Sequence, residues 1–403
     1  MEKDMTFKIK NLLVFFLLML PLANLPQLFN LGEDLGSIFI SIFIFIIFLL
    51  WVIFEKKLIK PTQLYNQLII LIIAIGILFN FISIIFGIVD LQDGIRVLLI
   101  FSLPKLIFLY LIIVISERVS VGQAFNLFFI FLFITLLSTL VSPLFYQLNP
   151  IPEFIFYDGN TRFAGFHFEL VNFTFSLLVG FFIFSIYKGF SPLILLVTLV
   201  IIYFLGRSNA FFPFVLLSLA GVFLARFRIF SISRLFVLSI LILTPLIGFF
   251  IEFFEFLEIF ALREATSFTL EGSTLFIRLY PWALATEHLV DNFFKMPIGL
   301  GMLGISPYME DTENLFGGTG ITAILAEYGF LSIFIVIFLY FYFIKIVKNI
   351  FMINDPNLRL CLMGILSLSL TYICIQSGFF NLTAWTLCIM VHTISVKLTK
   401  ATT

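Results

Sequence analysis

Residues able to do chemistry are scarce in this chain. They fall in two polar stretches and at a few positions inside apolar runs. The first stretch, 143–167, holds Glu153, Asp158, Arg162 and His167. The second, 253–317, holds Arg263, Arg278, Glu287, His288, Asp291, Glu310, Asp311 and Glu313 among others. An arginine fork offers two hydrogen bonds to phosphate oxygens and keeps its charge at any relevant pH. A carboxylate within reach of a hydroxyl can accept its proton. The run Glu310-Asp311-Thr312-Glu313 offers oxygens for a divalent cation, or is a set of solvated loop charges. Lys105, Glu169, Arg207 and Glu327 sit within or at the edge of apolar runs. A charge there is costly, so each is a functional candidate, set against a buried pair or a side chain reaching to the interface.

The elements that must position these residues are apolar. The chain has 403 residues, of which 62% are hydrophobic and 11% charged, and its mean hydropathy is +1.18. Soluble chains carry roughly 25% charged residues. An excess of this size calls for lipid as the solvent, and the expected fold class is an all-α, polytopic integral membrane protein. The formal charge is zero, which leaves no basic surface for nucleic acid. Cys361, Cys374 and Cys388 fit no metal-ligand spacing and read as small buried apolar residues. No metal and no cofactor is expected.

A spanning helix needs about 20 apolar residues. The runs 11–30, 35–54, 67–89, 96–115, 123–142, 168–187, 190–206, 209–226, 234–252, 318–344, 358–377 and 381–397 meet that need, so about twelve transmembrane helices are expected. The N-terminus, with Lys3, Lys8 and Lys10 ahead of 12–22, resembles a signal peptide without a convincing cleavage site. It reads as a first membrane helix that stays attached. With that terminus inside, one set of loops collects sixteen basic residues, among them Lys56, Arg118, Arg226, Lys348 and Lys397. The opposite set collects six: Arg96, Arg162, Arg207, Arg263, Arg278 and Lys295. The positive-inside rule therefore predicts both termini in the cytoplasm. Most carboxylates go the other way, so any chemistry belongs at the outer face.

The chain reads as a single transmembrane domain, 1–403, with an outer loop at 143–167 and a large one at 253–317. Thr274–Phe294 has apolar residues at helical spacing, including Leu275, Leu279, Trp282 and Leu289. It is expected as a helix on the membrane surface. Pro297-Ile-Gly-Leu-Gly301 reads as a turn. Gly317-Gly-Thr-Gly320 suits either a close backbone approach or a flexible connector.

Four segments, taken in order, carry a resemblance. Arg162-Phe-Ala-Gly165 ends the first outer loop, and Gly206-Arg-Ser-Asn-Ala210 lies between two spans. Arg278-x-x-x-Trp282 is followed by Pro297-x-Gly299-x-Gly301, and Leu325-Ala-Glu-Tyr-Gly329 opens the next span. Together they resemble the O-antigen polymerase and ligase superfamily of bacterial envelope glycosyltransferases. The motifs cover roughly residues 160–335, and the rest of the chain matches in hydropathy alone. The ligase pattern carries a His shortly before Leu-x-Glu-x-Gly. Here that region reads Glu313-Asn-Leu-Phe-Gly-Gly-Thr-Gly320, and His288 is too distant, which favours the polymerase (Wzy-type).

The resemblance implies a GT-C-like membrane glycosyltransferase in the bacterial inner membrane. Such a polymerase moves the growing glycan from undecaprenyl pyrophosphate to a sugar hydroxyl on the next lipid-linked repeat, at the periplasmic face. The departing pyrophosphate needs a cation, and Arg162, Arg207 and Arg278, with Trp282 beside the last, are the expected binding residues. The general base is expected among Asp158, Glu169, Asp311 and Glu313, with Glu313 favoured. The implied partners are the undecaprenyl-pyrophosphate-linked oligosaccharide, the bilayer and a chain-length regulator. Two alternatives remain open: an O-antigen ligase, and a flippase or transporter of lipid-linked oligosaccharide.

Overall fold

The computed structural model describes residues 11–20, 33–56, 58–87, 91–148, 170–202, 211–253, 299, 324, 327–375 and 381–402. They are helical, with no strand among them. In chain order the helices are α1 (Asn11–Leu20), α2 (Glu33–Glu55), α3 (Leu64–Ile85), α4 (Leu91–Arg118), α5 (Val121–Leu148) and α6 (Leu170–Lys188). There follow α7 (Pro192–Ile201), α8 (Phe211–Phe227), α9 (Phe230–Phe253), α10 (Leu331–Phe351), α11 (Pro356–Ile375) and α12 (Leu382–Thr402). Six stretches, in α2, α3, α4, α10, α11 and α12, are long and apolar enough to cross a membrane. Within the other six helices the apolar stretches Asn11–Leu20, Val121–Ile134, Thr174–Lys188, Pro192–Ile201, Phe214–Phe227 and Phe230–Ile242 are shorter, at 10–17 residues.

Each apolar run of the sequence meets a helix, for a simple reason. In hydrocarbon a backbone must satisfy its own hydrogen bonds, and a helix does so within one segment. The boundaries shift where local chemistry intervenes. The expected span 318–344 is displaced: Gly329 takes a φ of +54, in the left-handed region, and α10 starts only at Leu331. The Gly329 carbonyl accepts from the Ser332 amide at 3.0 Å, which closes the turn.

α11 forms the axis of the bundle and packs against α6, α8 and α12. Of its spanning residues 83% are buried, against 22% for α2, which faces outward. Small residues allow the close approach. A β-carbon on Gly221 of α8 would overlap the Ser367 side chain of α11, and one on Gly364 would overlap the Phe182 ring. Two hydroxyls of α11 turn back on their own helix. Ser369 donates to the Ile365 carbonyl at 2.8 Å and Thr371 to the Ser367 carbonyl at 2.7 Å. The three cysteines are buried free thiols, as their apolar setting predicts. Outward faces carry residues such as Phe39, Ile53, Leu193 and Phe334, an apolar mantle suited to lipid.

One end of the bundle is basic and firmly knitted. Glu117 at the end of α4 accepts from the Thr62 amide at 2.5 Å, the Gln63 amide at 3.1 Å and Asn66 Nδ2 at 2.8 Å. It thereby fixes the two residues that lead into α3 and places a negative charge near that helix N-terminus. Arg118 pairs with Glu55 of α2 at 3.3 Å. Lys397 of α12 donates to the carbonyls of Ser116 and Val119. Asn357 Nδ2 donates to the Ser185 carbonyl at 2.9 Å, and Arg359 Nε to the Ala225 carbonyl at 3.0 Å. These contacts gather the connections around residues 59–62, 119, 189, 228 and 355 at a single end of the bundle. The grouping matches the charge alternation of the sequence.

Candidate functional site: a charge pair beside an interrupted helix

α4 does not run as a regular helix. Residues Val97–Ser102 form a π-helical turn, and Pro104 follows at once. Proline has no amide proton to give the carbonyl four residues back, and its ring crowds that carbonyl. Here that carbonyl belongs to Ile100. Ser41 of α2 donates its hydroxyl to Ile100 O at 2.6 Å, so the carbonyl released by Pro104 finds a partner. Asn80 Nδ2 of α3 donates to Ser102 Oγ at 3.1 Å. These polar contacts re-satisfy an interrupted helix inside an apolar bundle. Higher on the same pair of helices, Ile84 fills the space a β-carbon on Gly94 would need.

Lys105 comes one turn below Ser102. Lys105 is half-buried, within electrostatic reach of the Glu327 carboxylate. Glu327 is 1% exposed and precedes the Gly329 turn. Its neighbour Tyr328 is fully buried and donates its hydroxyl to the Ile72 carbonyl of α3 at 3.1 Å. The Tyr328 ring lies 6.3 Å from that of Phe79. With a rise of about 1.5 Å per residue, Ile72 and Phe79 stand about 12 and 22 Å from the basic end of α3. Tyr328 and the Glu327 beside it therefore reach the middle of that helix.

Gly299 completes the site. It is buried against the Glu327–Tyr328 peptide, where a β-carbon would overlap the Glu327 carbonyl carbon and oxygen and the Tyr328 nitrogen. Only glycine allows two backbones to approach so closely. The contact joins Pro297-x-Gly299-x-Gly301 to Leu325-Ala-Glu-Tyr-Gly329, two of the four segments of the resemblance.

A half-buried ammonium and a buried carboxyl therefore lie within electrostatic reach of each other inside the bundle, where opposite charges offset part of each other's lost hydration. Glu327 is held at the depth of mid-α3 by the hydrogen bond of its neighbour Tyr328, and it lies within electrostatic reach of Lys105 on α4.

Asp158, Arg162, Glu169, Arg207, Arg278, Trp282 and Glu313 lie outside the described residues, as do His288, Glu310, Asp311 and the expected surface helix Thr274–Phe294. Lys105 and Glu327, both singled out by their place in apolar runs, are brought together. Ser41, Asn80, Ser102 and Pro104 were not singled out. A proline within an apolar run was the available signal for them.

A second buried polar residue was also missed. His392 of α12 is 2% exposed and packs against Tyr65 and Tyr342. Neither of its ring nitrogens has a hydrogen-bond partner among the described residues. No family model, curated protein or solved structure matches the chain.

Proposed function

We propose that this chain is a membrane glycosyltransferase that polymerises undecaprenyl-pyrophosphate-linked oligosaccharide repeats into O-antigen or a similar surface polysaccharide. The observation that carries the reading is the seating of Gly299 on the Glu327–Tyr328 peptide. Two segments of the family-like pattern, separate in sequence, meet through Gly299 and the Glu327–Tyr328 peptide. That supports a reading of the pattern as one site rather than as scattered coincidences. The charge alternation and the basic end of the bundle support twelve spans in a GT-C-like arrangement, with both termini cytoplasmic and the large loop periplasmic. Arg162, Arg207 and Arg278, with Trp282, bind the donor and acceptor pyrophosphates. Glu313, Asp158 or Glu169 accepts the proton of the attacking hydroxyl. The glycosyl bond to the donor pyrophosphate breaks as the bond to the acceptor oxygen forms.

In this reading Lys105 and Glu327 are positioning residues. They fix the end of the large loop in the bundle and so set the depth at which the loop meets the lipid-linked substrate. The chain reconstituted in vesicles with its lipid-linked repeat is expected to yield lengthened lipid-linked chains. Repeats that stay single when accessible on the side of the large loop would contradict it.

One observation favours the second reading, a transporter of lipid-linked oligosaccharide. Ionisable residues in the middle of the bundle, beside an interrupted helix, are typical of transport pathways. The same vesicles separate the two: a transporter moves the repeat across the bilayer without lengthening it.

A further inference from the structure

The hairpin between α8 and α9 gathers cations that form no ion pair with a carboxylate among the described residues. Arg226, Arg228 and Arg234 are all exposed, and no acidic residue occurs between the first and the last of them. Arg228 adopts a φ of +53, a left-handed conformation that a long side chain rarely takes. It lies close enough to Arg359 for their charges to repel. Arg359 is committed to the Ala225 and Ile353 carbonyls, both at 3.0 Å. Asp355, within electrostatic reach of Arg359, accepts the Asn357 and Leu358 amides at 2.9 and 3.2 Å at the start of α11. The guanidinium carbon of Arg234 sits 4.5 Å over the Phe230 ring, which holds that charge at the hairpin.

The same two helices expose apolar side chains next to these cations. Phe223, Phe227, Ile232 and Leu235 are 57%, 57%, 50% and 62% exposed. A partner that offers an anionic head and apolar tails in the same place is a membrane phospholipid. Arginine suits its phosphate, because the fork donates two parallel hydrogen bonds.

We propose that the α8–α9 hairpin is a binding site for the headgroup of an anionic phospholipid. The phosphate sits among Arg226, Arg228 and Arg234, and the acyl chains lie along Phe223, Phe227, Ile232 and Leu235. The phosphate relieves the repulsion between Arg228 and Arg359. A free anion would gain the charge contact without the apolar one.

The test is native mass spectrometry of the full chain in neutral detergent. Phosphatidylglycerol and phosphatidylcholine of identical acyl chains are offered to the wild type and to Arg226→Gln/Arg228→Gln/Arg234→Gln. The wild type is expected to retain phosphatidylglycerol at least about tenfold better, and the triple variant to retain the two lipids equally. The single variant Arg228→Gly, which also relieves the left-handed backbone, is expected to lose about fivefold, and it stands in if the triple variant does not fold. Lys188→Gln/Lys348→Gln, at the same end of the bundle but off the hairpin, is expected to keep the full preference. Equal retention of the two lipids by the wild type would overturn the proposal. So would undiminished preference in the hairpin variants, or an equal loss in the lysine control. Displacement of the lipid by an equal concentration of inorganic phosphate would also overturn it, by marking a small-anion site.

Discussion

Gly299 rests on the peptide that joins Glu327 to Tyr328, so closely that a β-carbon would overlap the Glu327 carbonyl. The obstacle is backbone, which cannot swing aside as a flexible side-chain tip can. Gly299→Ala therefore has to push the two segments apart, at a cost of about 1–3 kcal/mol. The variant is expected to reach the membrane in normal amount and to lose at least nine-tenths of its activity. A fully active Gly299→Ala would show that the contact does not position the site.

The pairing of Lys105 with Glu327 predicts a pattern rather than a single loss. Either Lys105→Met or Glu327→Leu alone leaves one charge uncompensated in the bundle, and is expected to cost about 3–5 kcal/mol. The double variant Lys105→Met/Glu327→Leu removes both charges and is expected to recover most of that stability. Thermal unfolding in detergent checks it. A double variant as unstable as the sum of the singles would mean that the two residues act separately.

Ser41 answers the carbonyl that Pro104 cannot serve. Ser41→Ala is expected to cost about 1 kcal/mol, the ordinary value of one such hydrogen bond. In the background of Pro104→Ala the same change is expected to cost less, because residue 104 can then donate within the helix. Equal costs in the two backgrounds, measured by the same unfolding assay, would separate Ser41 from the proline.

His392 invites a functional reading because it is a buried titratable group. Its ring meets Tyr65 and Tyr342 edge-on or tilted, and neither nitrogen is bonded among the described residues. His392→Phe keeps the aromatic packing and removes the desolvated nitrogens. It is expected to leave activity intact and stability equal or slightly higher. Loss of activity with unchanged stability would give His392 a chemical role that the packing does not suggest.

The helices were legible in the sequence because lipid permits few alternatives. A long apolar run has to become a helix, and 67–89 and 381–397 do so at Leu64–Ile85 and Leu382–Thr402. Gly329 displaced a boundary because hydropathy does not register backbone dihedrals. Lys105 and Glu327 were each visible as a charge in an apolar setting. Their union was not, because it depends on how α4 packs against a turn far along the chain. The same holds for Ser41, which matters only because Pro104 frees a carbonyl on a neighbouring helix. The arginines and carboxylates proposed for the chemistry rest on the sequence pattern, and they fall outside the described residues.

Those arginines carry the sharpest chemical prediction of the account. Arg162→Ala, Arg207→Ala and Arg278→Ala are each expected to abolish most activity without loss of the protein from the membrane, because each removes a cation from the pyrophosphate. Full activity in all three variants, assayed with the lipid-linked repeat, would remove pyrophosphate binding from these residues.

The most direct measurement is the pattern of surface polysaccharide after the gene is deleted from its host. A polymerase predicts loss of the ladder on a gel, with lipid A-core carrying at most one repeat, and restoration by the intact gene. Loss of every repeat from the core would contradict it. Polymerised lipid-linked chains would then mark a ligase, and unflipped single repeats a transporter. An unchanged ladder would exclude O-antigen as the polymer.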